Sequence, residues 1–227
     1  LVGASIGLAS VSLRDLDASE LMRRADVAMY AAKQAGKMRL AWYDEMLDQK
    51  QAIARTIEAE LRLAIDSESF ELVYQPLVDV HLRKIVAAEA LLRWTSPTRG
   101  TVDPLEFIPV AEETGLIDAM GMIVLRKACR DALDWGEVRL AINVSAAQLR
   151  NPEFAGALRD ALAETGFPAE RLELEINESY LVYDPDAAER VLNEIRALGV
   201  GVSLDDYGTG HASIGFLRQF SFNKVKL

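Results

Sequence analysis

VRLAINVS at residues 138–145 is a strand-length apolar run, and the pattern around it repeats downstream as RLELEINES (171–179), GVGVSLDDYG (199–208) and FNKVKL (222–227). Helical patterns fit between these runs at 152–165, 185–198 and 210–220. One helix between each pair of strands is the signature of parallel βαβ units. Upstream, FELVYQPLV (70–78) and KIVAAEALLRW (84–94) are joined by only a few residues around His81. That link is too short for a parallel crossover, so this first pair is expected to be antiparallel. A long helical region, roughly 104–135, separates it from the repeating part. Six strands are predicted, in an α/β fold.

Further upstream the pattern changes. Residues 1–10 read as a strand with Gly7, and DASELMRRADVAMYAAKQAGK (17–37) reads as helical, with Leu21, Ala25, Ala28, Met29 and Ala32 at helical spacing and Gly36 as the stop. MRLAWY (38–43) reads as a short strand. From Asp44 to Asp66 an amphipathic helix carries Met46, Ile53, Ile57, Leu61 and Ala64 without Pro or Gly, a semi-rigid connector between modules. The boundaries expected are 1–43, a linker helix 44–66, and 67–227. The chain opens inside LVGASIGLAS and stops inside FNKVKL, the look of a fragment cut on both sides.

Composition narrows the function. The 227 residues carry 35 acidic and 25 basic side chains, a formal net charge of −10. A nucleic-acid polymer would need a basic footprint, so it is not the expected partner; a small phosphate ligand remains compatible, since metal ions supply positive charge locally. A single cysteine, Cys129, forms no disulfide within the chain and reads as a small buried hydrophobe. His81 and His211 fall in separate loop-like segments, which argues against a histidine metal site. No apolar run is long enough to span a membrane and no signal peptide is evident, so a cytoplasmic location is expected, with any anchor lying elsewhere.

Acidic and amide side chains near the C-terminal ends of the strands carry the chemistry: Glu89, Asn143, Glu178, Asp205 and Asp206, with Lys226 in the last strand. In a barrel these ends converge on one site. Crowded carboxylates do not all stay ionised without a cation, and hard oxygen donors lacking His or Cys suit Mg²⁺ or Mn²⁺. Adjacent aspartates suit a bridge between two ions, as in displacement at phosphorus. Each residue also has a plainer reading. Glu89 could pair with Arg93 two residues on, and the Asp pair could cap a helix after the turn Gly208-Thr209-Gly210. From the residues alone, a metal-dependent phosphoryl or enolate enzyme is the reading.

The ordered set Tyr74-Gln75-Pro76, Glu89-Ala90-Leu91-Leu92-Arg93-Trp94, Phe107-Ile108-Pro109-Val110-Ala111-Glu112, Ile142-Asn143-Val144-Ser145, Leu172-Glu173-Leu174-Glu175 running to Glu178-Ser179, and Asp205-Asp206-Tyr207-Gly208-Thr209-Gly210 resembles the EAL family of cyclic di-GMP phosphodiesterases. Upstream, Ser5-Ile6-Gly7 and Ala25–Lys33 resemble the closing part of a GGDEF domain, as in tandem GGDEF–EAL proteins. The resemblance implies a TIM-like (β/α)8 barrel with an antiparallel first strand pair, truncated after its sixth strand and preceded by the end of an α+β GGDEF domain. It implies metal ligands at Glu89, Asn143, Glu178, Asp205 and Asp206 for two Mg²⁺ or Mn²⁺ ions. Lys226 and Glu89 would be catalytic, and Gln75, Leu91 and Arg93 would contact substrate. Cyclic di-GMP would be hydrolysed to linear pGpG by a homodimer formed through the EAL domain. Asn177 and Tyr207 depart from the commoner Thr and Phe of the family. With its last strands absent, this chain is expected to be a weak or inactive enzyme by itself. The alternatives are an inactive cyclic di-GMP sensor and a dimerisation scaffold.

Overall fold

A computed structural model describes residues 3–10, 17–34, 36, 38–177, 185–205, 220 and 222–226. The chain divides into two units, Leu1–Ala59 and Glu60–Leu227. The division falls within the helix expected to link two modules, rather than at either of its ends.

In the first unit, β1 (Ile6–Leu8) and β2 (Leu40–Trp42) form a parallel pair with Ile6 opposite Leu40. The connection is α1 (Ala18–Gln34), whose Val27, Ala28 and Ala32 are buried. Gly7 lets α1 lie directly on β1: a Cβ there would stand 1.9 Å from the Ala25 carbonyl oxygen. Asp17 caps α1 by accepting the Glu20 N–H at 2.7 Å. Asp48 accepts from Arg23 at 2.6 Å and from the Tyr43 hydroxyl, and these two donors pull its carboxyl down to about 2.

Helix α2 (Glu45–Asp66) forms where an amphipathic helix is expected. Its apolar stripe is buried at Ile57, Leu61 and Ala64, whereas Met46 and Ile53 are exposed.

The second unit is built on one mixed sheet. Strands β3 (Glu71–Asp79) and β4 (Lys84–Ser96) pair antiparallel, as the short link predicts. Asp79 closes that link by accepting the His81 and Leu82 N–H groups, each at 2.8 Å. The strands that follow, β6 (Arg139–Val144), β7 (Leu172–Asn177), β8 (Gly201–Asp205) and β9 (Lys224–Val225), add in parallel, giving the order β3-β4-β6-β7-β8-β9. A seventh strand, β5 (Gly100–Val102), pairs antiparallel with the end of β4 and corrects the expected count of six. It is three residues long, below the length at which alternation is readable.

The region expected as one helix over 104–135 is two, α3 (Pro104–Thr114) and α4 (Leu116–Asp131). Gly115 separates them at φ 74°, a left-handed conformation that ends one helix and redirects the next. After β6 come a one-turn helix α5 (Ala146–Leu149) and α6 (Phe154–Thr165); α7 (Pro185–Ala197) joins β7 to β8. The predicted helix at 210–220 lies outside the described residues, apart from Phe220.

The core lies between the sheet and its helices. Val124, Leu125 and Ala128 of α4, Leu158 and Ala161 of α6, and Leu192 and Ile195 of α7 meet Leu140, Ile142, Leu172, Leu174 and Val202 of the strands. Arg171 closes the base of the β6 connection, donating to the carbonyls of Ala132 at 2.9 Å and Val138 at 3.0 Å. Cys129 sits fully inside, and burial pushes its thiol up to about 12. The thiolate is the reactive form, so native protein should resist a chromogenic disulfide reagent at pH 8 and react with one equivalent per chain after denaturation. Rapid labelling of the folded protein would contradict this packing.

Candidate active site

Period-2 alternation along β7 places Glu173, Glu175 and Asn177 on one face and Leu172, Leu174 and Ile176 on the other. The leucines and isoleucine enter the core against the helices. The opposite face carries the charges. Register brings Asn143 of β6 opposite Glu175, and Asn177 opposite Asp205 at the end of β8. Because β4, β6, β7 and β8 run in parallel, their inward polar groups collect toward one end of the sheet.

Glu89, Glu175 and Asp205 converge there, each offering a carboxylate oxygen within 4.8 Å of the others. Asn143 Nδ2 donates to Glu89 Oε1 at 2.7 Å. Lys226 Nζ donates to Glu89 Oε2 at 3.1 Å and also to Glu175 Oε2. Its backbone N–H bonds the Leu204 carbonyl at 2.8 Å, which prolongs the β8–β9 ladder by one residue and sets the lysine's height in the site. Glu89 therefore pairs across the sheet with Lys226 and Asn143, not along its own strand with Arg93; Arg93 Nη1 donates to the Leu92 carbonyl at 2.9 Å.

Among the described residues, the Lys226 ammonium bonds two of the three carboxylates, Glu89 and Glu175. Burial holds the Glu175 carboxyl above the usual range against the opposing bond from Lys226, and the charges on Glu89 and Asp205 add to the rise. Burial also works against the Lys226 ammonium, but its bonds to Glu175 and Glu89 outweigh this and hold it above the ordinary lysine value. Glu175 Oε1 is buried with no hydrogen-bond partner among the described residues. A buried carboxylate oxygen without a donor is costly unless a cation meets it. An all-oxygen donor set with an orphaned acceptor fits a hard divalent ion.

One layer below, Glu173 is buried and accepts from the Ser203 hydroxyl, from Lys224 at 3.4 Å and from Arg139 at 3.3 Å. The pairs Glu173–Lys224 and Glu175–Lys226 are thus two rungs between β7 and β9, reaching across β8 over the small side chain of Ser203.

A cavity of about 420 Å³ opens beside the cluster. Leu91 and Arg93 of β4 line it, together with Pro104, Leu105 and Ile108 from the start of α3. Asn143, Glu175 and Asp205 form its charged side. At the turn after Asn143, Ser145 and Gln148 make a reciprocal capping box, with the Gln148 N–H donating to Ser145 Oγ at 3.3 Å and the Ser145 N–H to Gln148 Oε1 at 3.1 Å. Gly121 of α4 makes room for it: a Cβ there would fall 2.0 Å from Gln148 Nε2. Gly121→Ala should therefore displace Gln148 and destabilise the unit by about 1–2 kcal/mol in urea unfolding. An unchanged midpoint would show that the glutamine moves aside freely.

Of the residues singled out from sequence, Glu89, Asn143, Asp205 and Lys226 come together, and Leu91 and Arg93 face the cavity. Gln75 lies opposite Glu89 across the antiparallel pair, exposed and outside the lining of this cavity. Glu178 and Asp206 lie outside the described residues. Glu175 was not among the candidates, although it is the most deeply buried carboxylate of the cluster. Its signal was present: it shares the parity of Glu173, opposite to that of Leu174 and Ile176.

A mixed α/β sheet with a carboxylate cluster toward one end of its parallel strands, beside a ligand-sized cavity, defines a TIM-like architecture with one candidate site. The EAL domain family matches residues 58–227, and the chain belongs to that family of cyclic di-GMP phosphodiesterases. It is 42% identical over 98% of its length to y4lL of Sinorhizobium fredii, of which it covers 27%. It is 34% identical, over its whole length, to the bifunctional diguanylate cyclase/cyclic di-GMP phosphodiesterase MucR of Pseudomonas aeruginosa, of which it covers 34%. The solved phosphodiesterase of MucR in complex with c-di-GMP superposes with a TM-score of 0.71 at 36% identity, over 75% of this chain and 71% of that one. The FimX EAL domain of P. aeruginosa bound to c-di-GMP superposes at 0.68 with 25% identity, over 75% and 70%. The chain thus spans roughly a third or less of the length of these two curated relatives. Among the described residues, no helix is long and apolar enough to cross a membrane.

Proposed function

We propose that the EAL unit hydrolyses one phosphodiester of cyclic di-GMP, releasing linear pGpG, with two Mg²⁺ or Mn²⁺ ions as cofactors. The observation that carries this reading is the convergence of Glu89, Glu175 and Asp205, the first two bonded to the Lys226 ammonium, with a buried Glu175 oxygen that has no donor among the described residues, beside the cavity. Glu89, Asn143, Glu175 and Asp205 would hold the metal, and Asp206 and Glu178 would complete the set. Bound divalent ions would supply Lewis-acid stabilisation of the charge that develops on the phosphoryl oxygens.

The chain's own groups do the rest. Leu91 and the apolar start of α3 exclude water from one wall of the cavity. Arg93, released from the Leu92 carbonyl, reaches a phosphate oxygen with a planar guanidinium suited to it. Gln75 would contact substrate from the neighbouring strand. Lys226 is placed to orient the attacking water. While Glu89 and Glu175 hold its proton it is a donor, and neutralising those two carboxylates is what would free Nζ to accept one. The first unit is read as the end of a GGDEF domain, a reading supported by its β1–α1–β2 arrangement and by full coverage of the chain in the match to MucR.

The test is turnover of cyclic di-GMP by the full-length protein with Mg²⁺ or Mn²⁺. Glu89→Ala should lower kcat at least a hundredfold, on the scale of removing one preorganised charged group from an active site, roughly 10²–10³. Unchanged turnover would sink the site assignment. Binding of cyclic di-GMP without turnover by the unmutated protein would move it to the sensor reading.

A further inference from the structure

Glu60, on α2, is 9% exposed and belongs to the second unit. Its partners lie on the hairpin that ends the Glu89-bearing strand. One carboxylate oxygen accepts the Ser96 hydroxyl and the other accepts the Thr98 hydroxyl at 2.6 Å. Ser96 is 1% exposed, and its oxygen in turn accepts the Arg99 N–H at 3.0 Å. One carboxylate thus satisfies both hydroxyls of the β4–β5 turn and, through Ser96, one of its backbone groups.

The turn leads straight to the cavity. Gly100–Val102 pair back on Trp94–Ser96, and a single residue, Asp103, separates β5 from α3. Asp103 caps α3 by accepting the Leu105 N–H at 2.9 Å. Pro104, Leu105 and Ile108 of the first turns then line the cavity. Arg99 reaches Glu106 of the same helix at 2.8 Å; that pair is half-exposed and weak by itself. With no slack between hairpin and helix, the placement of the turn is the placement of the wall.

We propose that Glu60 is a positioning residue for substrate: by clamping Ser96 and Thr98 to α2, it fixes the wall of the cavity formed by the start of α3. The carboxylate touches neither the substrate cavity nor the acidic cluster, so it acts on binding and not on the reacting groups. Substrate affinity is thereby tied to the placement of Glu60 against the β4–β5 turn. This rests on the proposed hydrolysis of cyclic di-GMP for its kinetic readout, but not for its structural one.

The experiment compares Glu60→Ala, Glu60→Gln and Thr98→Val in the full-length protein. Loss of hydrogen bonds to a charged group should raise KM for cyclic di-GMP about tenfold in Glu60→Ala, with kcat and Mn²⁺ affinity within about twofold. Thr98→Val, which removes one donor, should raise KM about threefold, and Glu60→Gln, which keeps one acceptor, should recover most of the loss. Hydrogen exchange supplies the readout that needs no ligand: amides at 99–108 should exchange faster in Glu60→Ala while those of β6–β8 are unchanged. Unaltered exchange at 99–108 overturns the proposal, as does a joint fall of kcat, Mn²⁺ affinity and thermal stability without a KM effect in Thr98→Val. Should the unmutated protein not turn over cyclic di-GMP, the functional reading fails, and exchange at 99–108 alone decides the role of Glu60.

Discussion

Glu175→Gln is expected to lower turnover of cyclic di-GMP by about two to three orders of magnitude while leaving the fold intact or strengthening it. The substitution is close to isosteric, so no cavity opens in the interior. It removes a charge whose side chain is fully buried and whose Oε1 has no donor among the described residues. Replacing such a carboxylate with a neutral amide relieves a desolvation cost that a single lysine only partly offsets. In metal-free protein, the unfolding midpoint should therefore hold or rise. Activity should move the other way, because the donor set for a hard cation loses Glu175 Oε1, the buried oxygen with no donor among the described residues. A fall of about 10²–10³ in kcat and of about 10–100-fold in Mn²⁺ affinity is the expected scale. A stable variant with unmodified turnover would show that the catalytic carboxylates lie elsewhere. Opposite signs for stability and activity are the mark of a site whose charge is retained for function.

Trp94→Ala should produce the largest loss of stability. Trp94 is 1% exposed at the end of β4, and its ring meets Phe107 of α3 edge to face with centroids 5.4 Å apart. Truncating a buried aromatic of this size costs about 3–5 kcal/mol, including the lost ring pair and the cavity left behind. Against the 5–15 kcal/mol typical of a whole domain, roughly a fifth or more of the stability would go. Urea unfolding of the second unit should show a lower midpoint with an unchanged slope. A loss below about 1 kcal/mol would mean that α3 collapses onto β4 and fills the space. Because the same contact holds α3 beside the cavity, KM should rise as well.

The outline of the second unit was legible because its strands and helices have different periods. The four segments read as parallel strands, 138–145, 171–179, 199–208 and 222–227, are strand-length with an apolar face, and helical patterns lie between them. The antiparallel first pair followed from the length of the link at His81. Errors arose where an element was too short or a break too local. Gly115 interrupts an otherwise continuous helical pattern by a single left-handed residue, which composition does not distinguish from a glycine tolerated within a helix. Strand β5 has three residues and takes its identity from pairing with β4. The stripe of α2 was read over its full length, but burial begins only at Ile57.

At the site, Asn143, Asp205 and Lys226 were recognisable as polar groups placed late in strand-like segments, and Glu89 as a charge inside an otherwise apolar one. Glu175 was not, because Glu173, Glu175 and Glu178 lie within six residues and sequence does not rank three glutamates. What separates Glu173 from Glu175 is height along β7 measured against the neighbouring strands. Register sets Glu175 level with Asn143, while Glu173 falls one layer lower, beside Ser203, Arg139 and Lys224. Glu60 was equally silent, since a glutamate on an amphipathic helix reads as solvent-facing until a turn 36 residues later closes over it. By itself, then, the amino-acid order determined the periods, the parity of each strand and the chemical class of the site. Tertiary structure decided which carboxylate stands beside which cation, because hydrogen-bond register and the angle at which helices pack are properties of paired elements and belong to no single segment.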